Sequence, residues 1–169
     1  MVTIQFSKVR DNAIIPSKRD EDAGYDIYAC FSESYLIINS HQTVKVPTGI
    51  ASSFSADFCM ILKERGSTGT MGIGQRSGVI DSGYRNEWLI PVTNHNDRPI
   101  IIIKEDHKNS EEYQAFKRQN DFIEYSYEKA LCQALLVPVP RSKAVEVSYE
   151  ELLENKSERM LNGFGSTNK

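Results

Sequence analysis

The sequence lacks the residue patterns that build metal clusters or disulfide frameworks. Its three cysteines and three histidines are widely spaced, and no Cys-x-x-Cys pair occurs. An odd number of scattered cysteines favours reduced thiols, which are typical of a reducing compartment. We therefore expect neither a zinc site nor disulfides, and a cytoplasmic location.

Long apolar runs and an excess of positive charge are also missing. The longest apolar runs, such as 99–103 and 134–139, are much shorter than the roughly 20 residues that cross a bilayer. Residues 1–10 have no basic start followed by an apolar stretch, so no secretory signal is expected. The net charge is −3, whereas general nucleic-acid binding usually needs a basic surplus. The predicted partners therefore include neither a membrane nor a nucleic acid.

Short apolar runs bounded by turn-forming residues recur along the chain. The composition, 40% hydrophobic and 25% charged, is that of a globular protein, and the length predicts one domain over 1–169. Runs of this kind indicate an antiparallel sandwich or barrel rather than alternating strands and helices. The predicted strands are 3–9, 35–38, 43–48, 58–63, 88–93, 99–104 and 131–139.

Two segments carry helix signals. Ser148 and Glu151 form a Ser-x-x-Glu capping box, which predicts a short helix after Ser148. Asn109 or Ser110 can cap a second helix that extends to Asn120 on the surface of the protein.

The polar stretch 105–126 interrupts the strand rhythm and is interpreted as a surface insertion. It is too short to bury a core of its own, so it does not form a second domain. Its aromatic residues leave two interpretations open. The segment is either a protruding amphipathic arm that docks a partner protein or a loop that packs on its own subunit.

Two stretches in the first half of the chain have unusual local chemistry. Asp26 lies inside the strand-like run 22–29, so it either faces water or has a specific role. The stretch 65–74 combines four glycines with hydroxyl side chains. It can cradle an anion with its backbone amides, or form a glycine-rich hairpin that binds nothing. It lacks the spacing of a P-loop.

Two later stretches are equally unusual. Asp81 follows an apolar pair and precedes turn residues, so it can polarise a water molecule at a strand end or start a hairpin turn. The segment 159–169 resembles a frayed terminus. It also holds Phe164, which can stack on a base, and hydroxyl and arginine side chains that can meet phosphates.

In this order, the stretches resemble the five motifs of the trimeric deoxyuridine triphosphatases (dUTPases). The third motif reads GVIDSGYRNE at 78–87, and the fifth ends in GFGST, the most specific match. The insertion before the fourth motif is similar to that of some phage-type members. The motifs correspond to 23–29, 65–67, 78–87, the surroundings of Gln133, and 159–167.

The resemblance implies a mostly β, jelly-roll-like antiparallel barrel with short helices, assembled as a homotrimer with shared active sites. It implies Mg²⁺-dependent hydrolysis of dUTP to dUMP and pyrophosphate, which lowers dUTP and supplies dUMP for thymidylate synthesis. It also implies that 157–169 is a flexible tail that closes over the active site.

The resemblance further implies a role for each matching residue. Asp81 would orient the water that attacks the α-phosphorus, and Tyr84 would pack against the deoxyribose and exclude ribonucleotides. Asp26 would contact Mg²⁺ through a bound water. The hairpin with Gln75, Gly78, Val79 and Ile80 would read uracil. The phosphates would be held by Arg65, Gly66, Ser67 and Gln133. The tail residues that would close over the substrate are Arg159, Phe164, Gly165, Ser166 and Thr167.

The sequence departs from the family pattern in several motifs. Gly66 stands where the second motif usually has serine, so a hydroxyl is missing there, and Ser67 or Thr68 is a candidate replacement. Gly83 replaces a frequent acid, and the fourth motif has Glu-Lys-Ala at 128–130 in place of the usual Gly-Asp-Arg.

Two alternative functions are considered. A related fold belongs to dCTP deaminases, whose catalytic Glu would fall ten residues after Asp81, but Pro91 stands there and cannot transfer a proton. The second alternative is a catalytically weak dUTP-binding protein that regulates a partner through the 105–126 insertion.

Overall fold

A computed structural model describes residues 2–76, 78–157 and 161 of the chain. The chain divides into two compact units, 1–139 and 140–169. The single domain predicted over 1–169 stays a prediction. No helix within these described ranges is long and apolar enough to cross a membrane.

The first unit is built mostly from short strands. In its described residues the strands are β1 (Gln5–Lys8), β2 (Gly24–Ile27), β3 (Tyr35–Ile38), β4 (Thr43–Pro47), β5 (Ile50–Ser53), β6 (Phe58–Lys63), β7 (Ile73–Gln75), β8 (Val79–Asp81), β9 (Leu89–Asn94), β10 (Ile100–Ile103), β11 (Ile123–Ser126) and β12 (Cys132–Pro138). The helices are α1 (Gly66–Thr70), α2 (Glu105–Lys108) and α3 (Glu111–Gln119). The mostly β prediction with short helices is confirmed.

These strands pair into four sheets. The largest has the order β2-β12-β6-β8, and the others are β4-β9-β7, β11-β10-β3 and β1-β5. Every pair of strands is antiparallel except β10 and β11. The large sheet matters for function because β2, β8 and β12 all carry predicted site residues.

The core explains why β10 consists of four consecutive isoleucines. Ile100 and Ile102 belong to the main core cluster, whereas Ile101 and Ile103 pack with Tyr113 in a second cluster on the other side. All four isoleucines are buried. A strand covered on both faces loses the apolar–polar alternation of a half-exposed one.

The insertion is part of the fold rather than a protruding arm. Of the two predicted cap candidates, Asn109 and Ser110, it is Ser110 that caps helix α3: its side chain accepts a hydrogen bond from the backbone N–H of Tyr113. Tyr113 and Tyr125 are buried, so these two aromatic residues are not available to a partner. Packing on its own subunit is therefore the interpretation that the structure favours.

The insertion also explains the one parallel pairing. Strand β11 returns beside β10 in the same direction after the connection 104–122, which contains α2 and α3. A parallel return needs a crossover of about a dozen residues or more, and the insertion supplies one. The predicted antiparallel fold therefore contains one parallel pair among its described strands.

The second unit contains helix α4 (Tyr149–Glu154). The Ser148 side chain accepts a hydrogen bond from the backbone N–H of Glu151, as the capping-box pattern predicts. The remaining tail residues proposed for the site, Arg159, Phe164, Gly165, Ser166 and Thr167, lie outside the described residues.

Candidate functional site

Three predicted site residues meet at one end of the large sheet. Asp26 on β2 lies directly opposite Gln133 on β12, and Gln133 in turn lies opposite Lys63 at the end of β6. Arg65 follows β6 two residues later and reaches the same place. A cavity of about 570 Å³ opens there, which we call the phosphate cavity; it is lined by Ser17, Lys18, Arg19, Asp22, Ala23, Gly24, Asp26, Arg65 and Gln133.

Asp26 and Arg65 form an ion pair within the phosphate cavity. The Arg65 Nε lies 3.1 Å from Asp26 Oδ1. The same guanidinium donates from Nη1 to the carbonyl of Ala130 at 3.4 Å. Arg65 is therefore held from two sides while its side chain stays partly exposed to the cavity.

The Gln133 side chain extends toward the residue after β6 and passes next to Gly24. Its Nε2 donates to the carbonyl of Glu64 at 2.9 Å. A Cβ on Gly24 would lie 2.7 Å from Gln133 Oε1 and 3.0 Å from Gln133 Cβ. A side chain at position 24 would therefore push the Gln133 side chain out of this position.

The glycine-rich stretch after Arg65 forms the short helix α1, not a hairpin. Thr68 Oγ1 accepts from the Arg65 backbone N–H at 3.0 Å and donates to the Arg65 carbonyl at 3.1 Å. The Thr68 side chain is buried, whereas Ser67 is exposed. Of the two hydroxyls considered as replacements at Gly66, only that of Ser67 is therefore accessible to a ligand.

Asp81 and Tyr84 lie together in a second, smaller cavity. This cavity of about 190 Å³, called here the carboxylate cavity, is lined by Val79, Ile80, Asp81, Tyr84 and Leu89. Asp81 is the last residue of β8 and is exposed. The Tyr84 backbone N–H donates to the Asp81 carbonyl at 3.0 Å, which closes a turn between them.

The loop after Asp81 is braced by the partly exposed ion pair between Arg10 and Glu87. Tyr84 Oη donates to the carbonyl of Glu87 at 3.2 Å. The Glu87 carboxylate receives Nε and Nη2 of Arg10 at 2.8 and 3.0 Å and the backbone N–H of Gly49 at 2.7 Å. The bond from Arg10 holds the pKa of Glu87 below its usual range. Arg10 and Gly49 were not singled out from the sequence, because their contacts with Glu87 join distant segments.

The predicted uracil-reading hairpin at 75–80 is not a hydrogen-bonded hairpin. Strand β7 pairs with β9, and β8 pairs with β6, so its two flanks belong to different sheets. Two contacts to the β6 end hold the described part of this loop. The Glu64 carboxylate accepts the Gln75 backbone N–H at 3.0 Å, and the Gly78 carbonyl accepts the Leu62 N–H at 2.7 Å. The backbone at 76 bonds to β9 and the backbone at 78 to β6, so the two flanks are held by different strands.

A single chain does not bring the two cavities together. Asp81 pairs with Cys59 and Gln133 pairs with Lys63, both on β6. Four residues of strand separate these two positions by about 13 Å along β6. The water-orienting candidate and the phosphate-binding candidates therefore lie in different places on the same sheet.

Comparison with known proteins identifies the family to which this chain is similar. A family model for dUTPase matches residues 10–107. The deoxyuridine 5'-triphosphate nucleotidohydrolase of Gloeobacter violaceus is 30% identical over 149 residues, covering 86% of this chain and 82% of that protein.

Solved structures show the same fold. The dUTPase of Staphylococcus bacteriophage 80alpha with dUPNHPP superposes with a TM-score of 0.73 at 21% identity, covering 99% of both chains. A mutant dUTPase from phage phi11 of S. aureus, in which a structural Mg(II) ion is coordinated, gives a TM-score of 0.64 at 19% identity, covering 88% of this chain and 99% of that one.

The mostly β fold is that of the dUTPase structures, which are nucleotide hydrolases. The match over 10–107 and the relative that is 30% identical over most of both lengths make the assignment specific. The chain belongs to the dUTPase family, the enzymes that hydrolyse deoxyuridine triphosphate. The predicted jelly-roll-like fold of this family, including its phage-type members, is confirmed.

Proposed function

We propose that this member of the dUTPase family cleaves dUTP to dUMP and pyrophosphate with water oriented by Asp81. The observation that carries the proposal is the carboxylate cavity, where an exposed Asp81 stands beside the Tyr84 ring. The Asp81 carboxylate makes no ion pair or side-chain hydrogen bond with the described residues, so it is free to hold a water molecule.

Tyr84 supplies the wall against which a deoxyribose packs. Its hydroxyl is bonded to the Glu87 carbonyl, and this bond limits rotation of the ring. A ring fixed in this way leaves no space for a 2′-hydroxyl, which accounts for selection against ribonucleotides. Uracil is then read by Gln75, Gly78, Val79 and Ile80, where the two strands diverge.

The phosphate cavity supplies the groups for the triphosphate. Arg65 presents a planar guanidinium suited to bidentate phosphate contacts, and Gln133 adds an amide. Ser67 offers the accessible hydroxyl next to Gly66, whose missing side chain leaves open space. An acidic chain needs this local concentration of donors to hold a highly charged anion.

The residues in the phosphate cavity fit Mg²⁺. Magnesium prefers oxygen ligands and retains several waters, so one carboxylate acting through water is sufficient when substrate phosphates also bind. Within the described ranges, no group of three or more His, Cys, Asp or Glu could hold an ion by itself. Asp26 would hold the ion's water, and the ion would neutralise phosphate charge.

The separation of the two cavities supports a homotrimer with shared sites. A site that uses both Asp81 and Gln133 would take them from different chains, because their pairing partners Cys59 and Lys63 lie about 13 Å apart along β6. The tail 157–169 is proposed to close over the substrate, with Arg159, Ser166 and Thr167 on phosphates and Phe164 on uracil. Deletion of 164–169 should slow turnover while the trimer persists, as measured by light scattering.

A cytoplasmic location and a regulatory partner at the 105–126 insertion are further parts of the proposal. With Tyr113 and Tyr125 buried, such a partner would have to use the polar, exposed face of α3. A pull-down that is lost on charge reversal at Glu111 and Glu112, with turnover retained, would support the partner.

Pyrophosphate release with Mg²⁺ from dUTP, dCTP, dTTP and UTP tests the reaction itself. We expect strong release from dUTP and only trace release from the other three nucleotides. Binding of dUTP without turnover would instead support the regulatory alternative, and ammonia from dCTP would support a deaminase. The deaminase lacks its acid here, since Pro91 lies in β9 and offers only its carbonyl, which accepts the N–H of Arg76.

A further inference from the structure

Glu64 contacts both the loop proposed to read uracil and a residue proposed to hold phosphate. Its carboxylate Oε1 accepts the backbone N–H of Gln75 at 3.0 Å. Its main-chain carbonyl accepts Gln133 Nε2 at 2.9 Å. Arg65 is its neighbour in the chain. Glu64 thus lies where the base-reading and phosphate-binding elements of one chain meet.

The bond to Gln75 fixes the start of the base-reading loop. Gln75 is the last residue of β7, and the next backbone N–H, of Arg76, already bonds to the Pro91 carbonyl on β9. The Gln75 N–H is directed instead toward the end of β6. The Gln75 side-chain Nε2 is buried without a hydrogen-bond partner in the described residues. The bond from the Gln75 backbone N–H to the Glu64 carboxylate is therefore the contact that anchors Gln75 to the end of β6.

Glu64 is suited to this role by its charge. The hydrogen bond from Gln75 lowers the pKa of the Glu64 carboxyl, so the group stays ionised near neutral pH. A bond to an ionised acceptor is shorter and stronger than one between neutral groups. The other carboxylate oxygen lies 3.6 Å from the largely exposed ammonium of Lys63, a contact of little strength.

We propose that Glu64 is a positioning residue for base selection, holding the start of the loop at 75–80 against the end of β6. This inference rests on the proposed function. Substrates are discriminated by differences in transition-state binding, and small displacements of a recognition element are costly. If the loop start is released, the uracil contacts loosen while the carboxylate cavity and Asp81 remain intact. Selectivity for uracil over cytosine is then the property that Glu64 controls.

The test compares kcat/KM for dUTP and dCTP in three variants of position 64. Glu64→Ala removes the acceptor, and Glu64→Asp keeps the charge but is one methylene too short to reach Gln75. Both should reduce the dUTP-to-dCTP ratio about tenfold, mainly through a higher KM for dUTP. Glu64→Gln retains an oxygen acceptor and should recover most of the ratio.

Lys63→Ala is the matched control, because it removes the charged contact of Glu64 and leaves the bond to Gln75. The ratio of kcat/KM for dUTP to kcat/KM for dCTP in Lys63→Ala should equal that of the unmodified protein. Unchanged selectivity in both Glu64→Ala and Glu64→Asp, with normal dUTP turnover, would overturn the positioning role and leave the proposed function standing. A loss of turnover that is equal for dUTP and dCTP, or that Glu64→Gln shares, would also overturn it.

The failure of the proposed function would look different. In that case the unmodified protein would not release pyrophosphate from dUTP in the same assay. Calorimetric binding of dUMP and dCMP then measures base selection without turnover. An equal preference for dUMP over dCMP in the unmodified protein and in Glu64→Asp would refute the positioning role. A smaller preference for dUMP in Glu64→Asp would support it.

Discussion

The carboxylate of Asp26 lies 3.1 Å from the guanidinium Nε of Arg65, and each side chain keeps about one third of its surface exposed. These residues are proposed to serve ligands of opposite charge, a magnesium ion and a phosphate. Without ligands they neutralise each other. Binding of Mg²⁺ and dUTP therefore exchanges one ion pair for two new charge contacts, and the two ligands should assist each other.

Asp26→Asn tests this exchange. Loss of the carboxylate should raise the Mg²⁺ concentration for half-maximal turnover about tenfold or more, in line with the effect of ligands that act through bound water. Binding of dUTP without Mg²⁺ should tighten, because Arg65 is no longer occupied by an anion. Titrations of turnover against Mg²⁺ and of dUTP binding in EDTA measure the two effects.

Asp22→Asn is the control for Asp26→Asn. Asp22 lines the same phosphate cavity but pairs with Arg19 at 2.8 Å instead. Its substitution should change the Mg²⁺ requirement little. An identical Mg²⁺ dependence for Asp26→Asn and the unmodified protein would remove Asp26 from the metal site.

Asp81→Asn should leave the trimer and dUTP binding intact and reduce turnover about 100-fold or more. An amide can occupy the same space at the end of β8 but cannot accept a proton from the attacking water. Single-turnover kinetics with dUTP, together with calorimetric binding of a non-hydrolysable analogue, separates the two properties. Turnover at the original rate would refute the assignment of Asp81.

Ser67→Ala should slow dUTP turnover about tenfold, the cost of one hydrogen bond to a charged phosphate. Adding Gly66→Ser should restore much of the rate. A Cβ at position 66 meets nothing within 4 Å, so a serine there fits and adds a second hydroxyl next to Arg65. Steady-state kcat values for the single and double variants provide the measurement.

Thr68→Val provides the contrast, since the Thr68 hydroxyl bonds to the Arg65 backbone and is buried. This change should lower the melting temperature. A Ser67→Ala variant with full activity would show that the Ser67 hydroxyl does not serve the phosphates.

Arg10→Ala should destabilise the protein near neutral pH by about 1 kcal/mol, the upper end for a partly exposed ion pair. The folded pKa of Glu87 lies below its ordinary value of 4.5 because of the bond from Arg10. A depressed carboxyl pKa contributes stability above the unfolded pKa, and this contribution is lost as the pH falls through the folded pKa. The difference between variant and unmodified protein should therefore shrink from pH 7 to pH 3 in urea unfolding.

Arg98→Ala controls for the loss of any surface arginine, because its partner Asp121 is 74% exposed. It should cost less than Arg10→Ala at pH 7. A destabilisation by Arg10→Ala that stays constant down to pH 3 would contradict the role of the Glu87 charge. UTP turnover in Arg10→Ala also reports on Tyr84, whose hydroxyl depends on the Glu87 carbonyl.

Local patterns predicted several elements with good accuracy. Strands β3 and β6 have the predicted bounds, since a short apolar run between turn formers leaves little choice. The caps Ser110 and Ser148 act as predicted, because a side-chain oxygen needs only a backbone N–H three residues away.

Predictions from local sequence patterns were wrong where contacts between residues far apart in the chain determine the structure. The glycine-rich stretch forms α1 despite its poor helix propensity, because Thr68 bonds to the backbone of Arg65 and is buried by the surrounding fold. Strand β5 was not predicted, although Ala51, Ile50 and Ser52 are buried, since its small and polar residues give a weak strand signal. The hairpin at 75–80 was wrong because each flank pairs with a strand from elsewhere in the chain.

The sequence by itself determined the chemistry of this protein: the family motifs, and with them which carboxylates, arginine, amide and aromatic ring are present. The tertiary structure alone decided how these groups are used. It paired Asp26 with Arg65, buried the Thr68 hydroxyl, joined Glu64 to Gln75, and placed Asp81 away from Gln133 on the same sheet. The physical reason is that residue type sets what a group can bind, whereas distances between groups follow from strand register and packing across the whole fold.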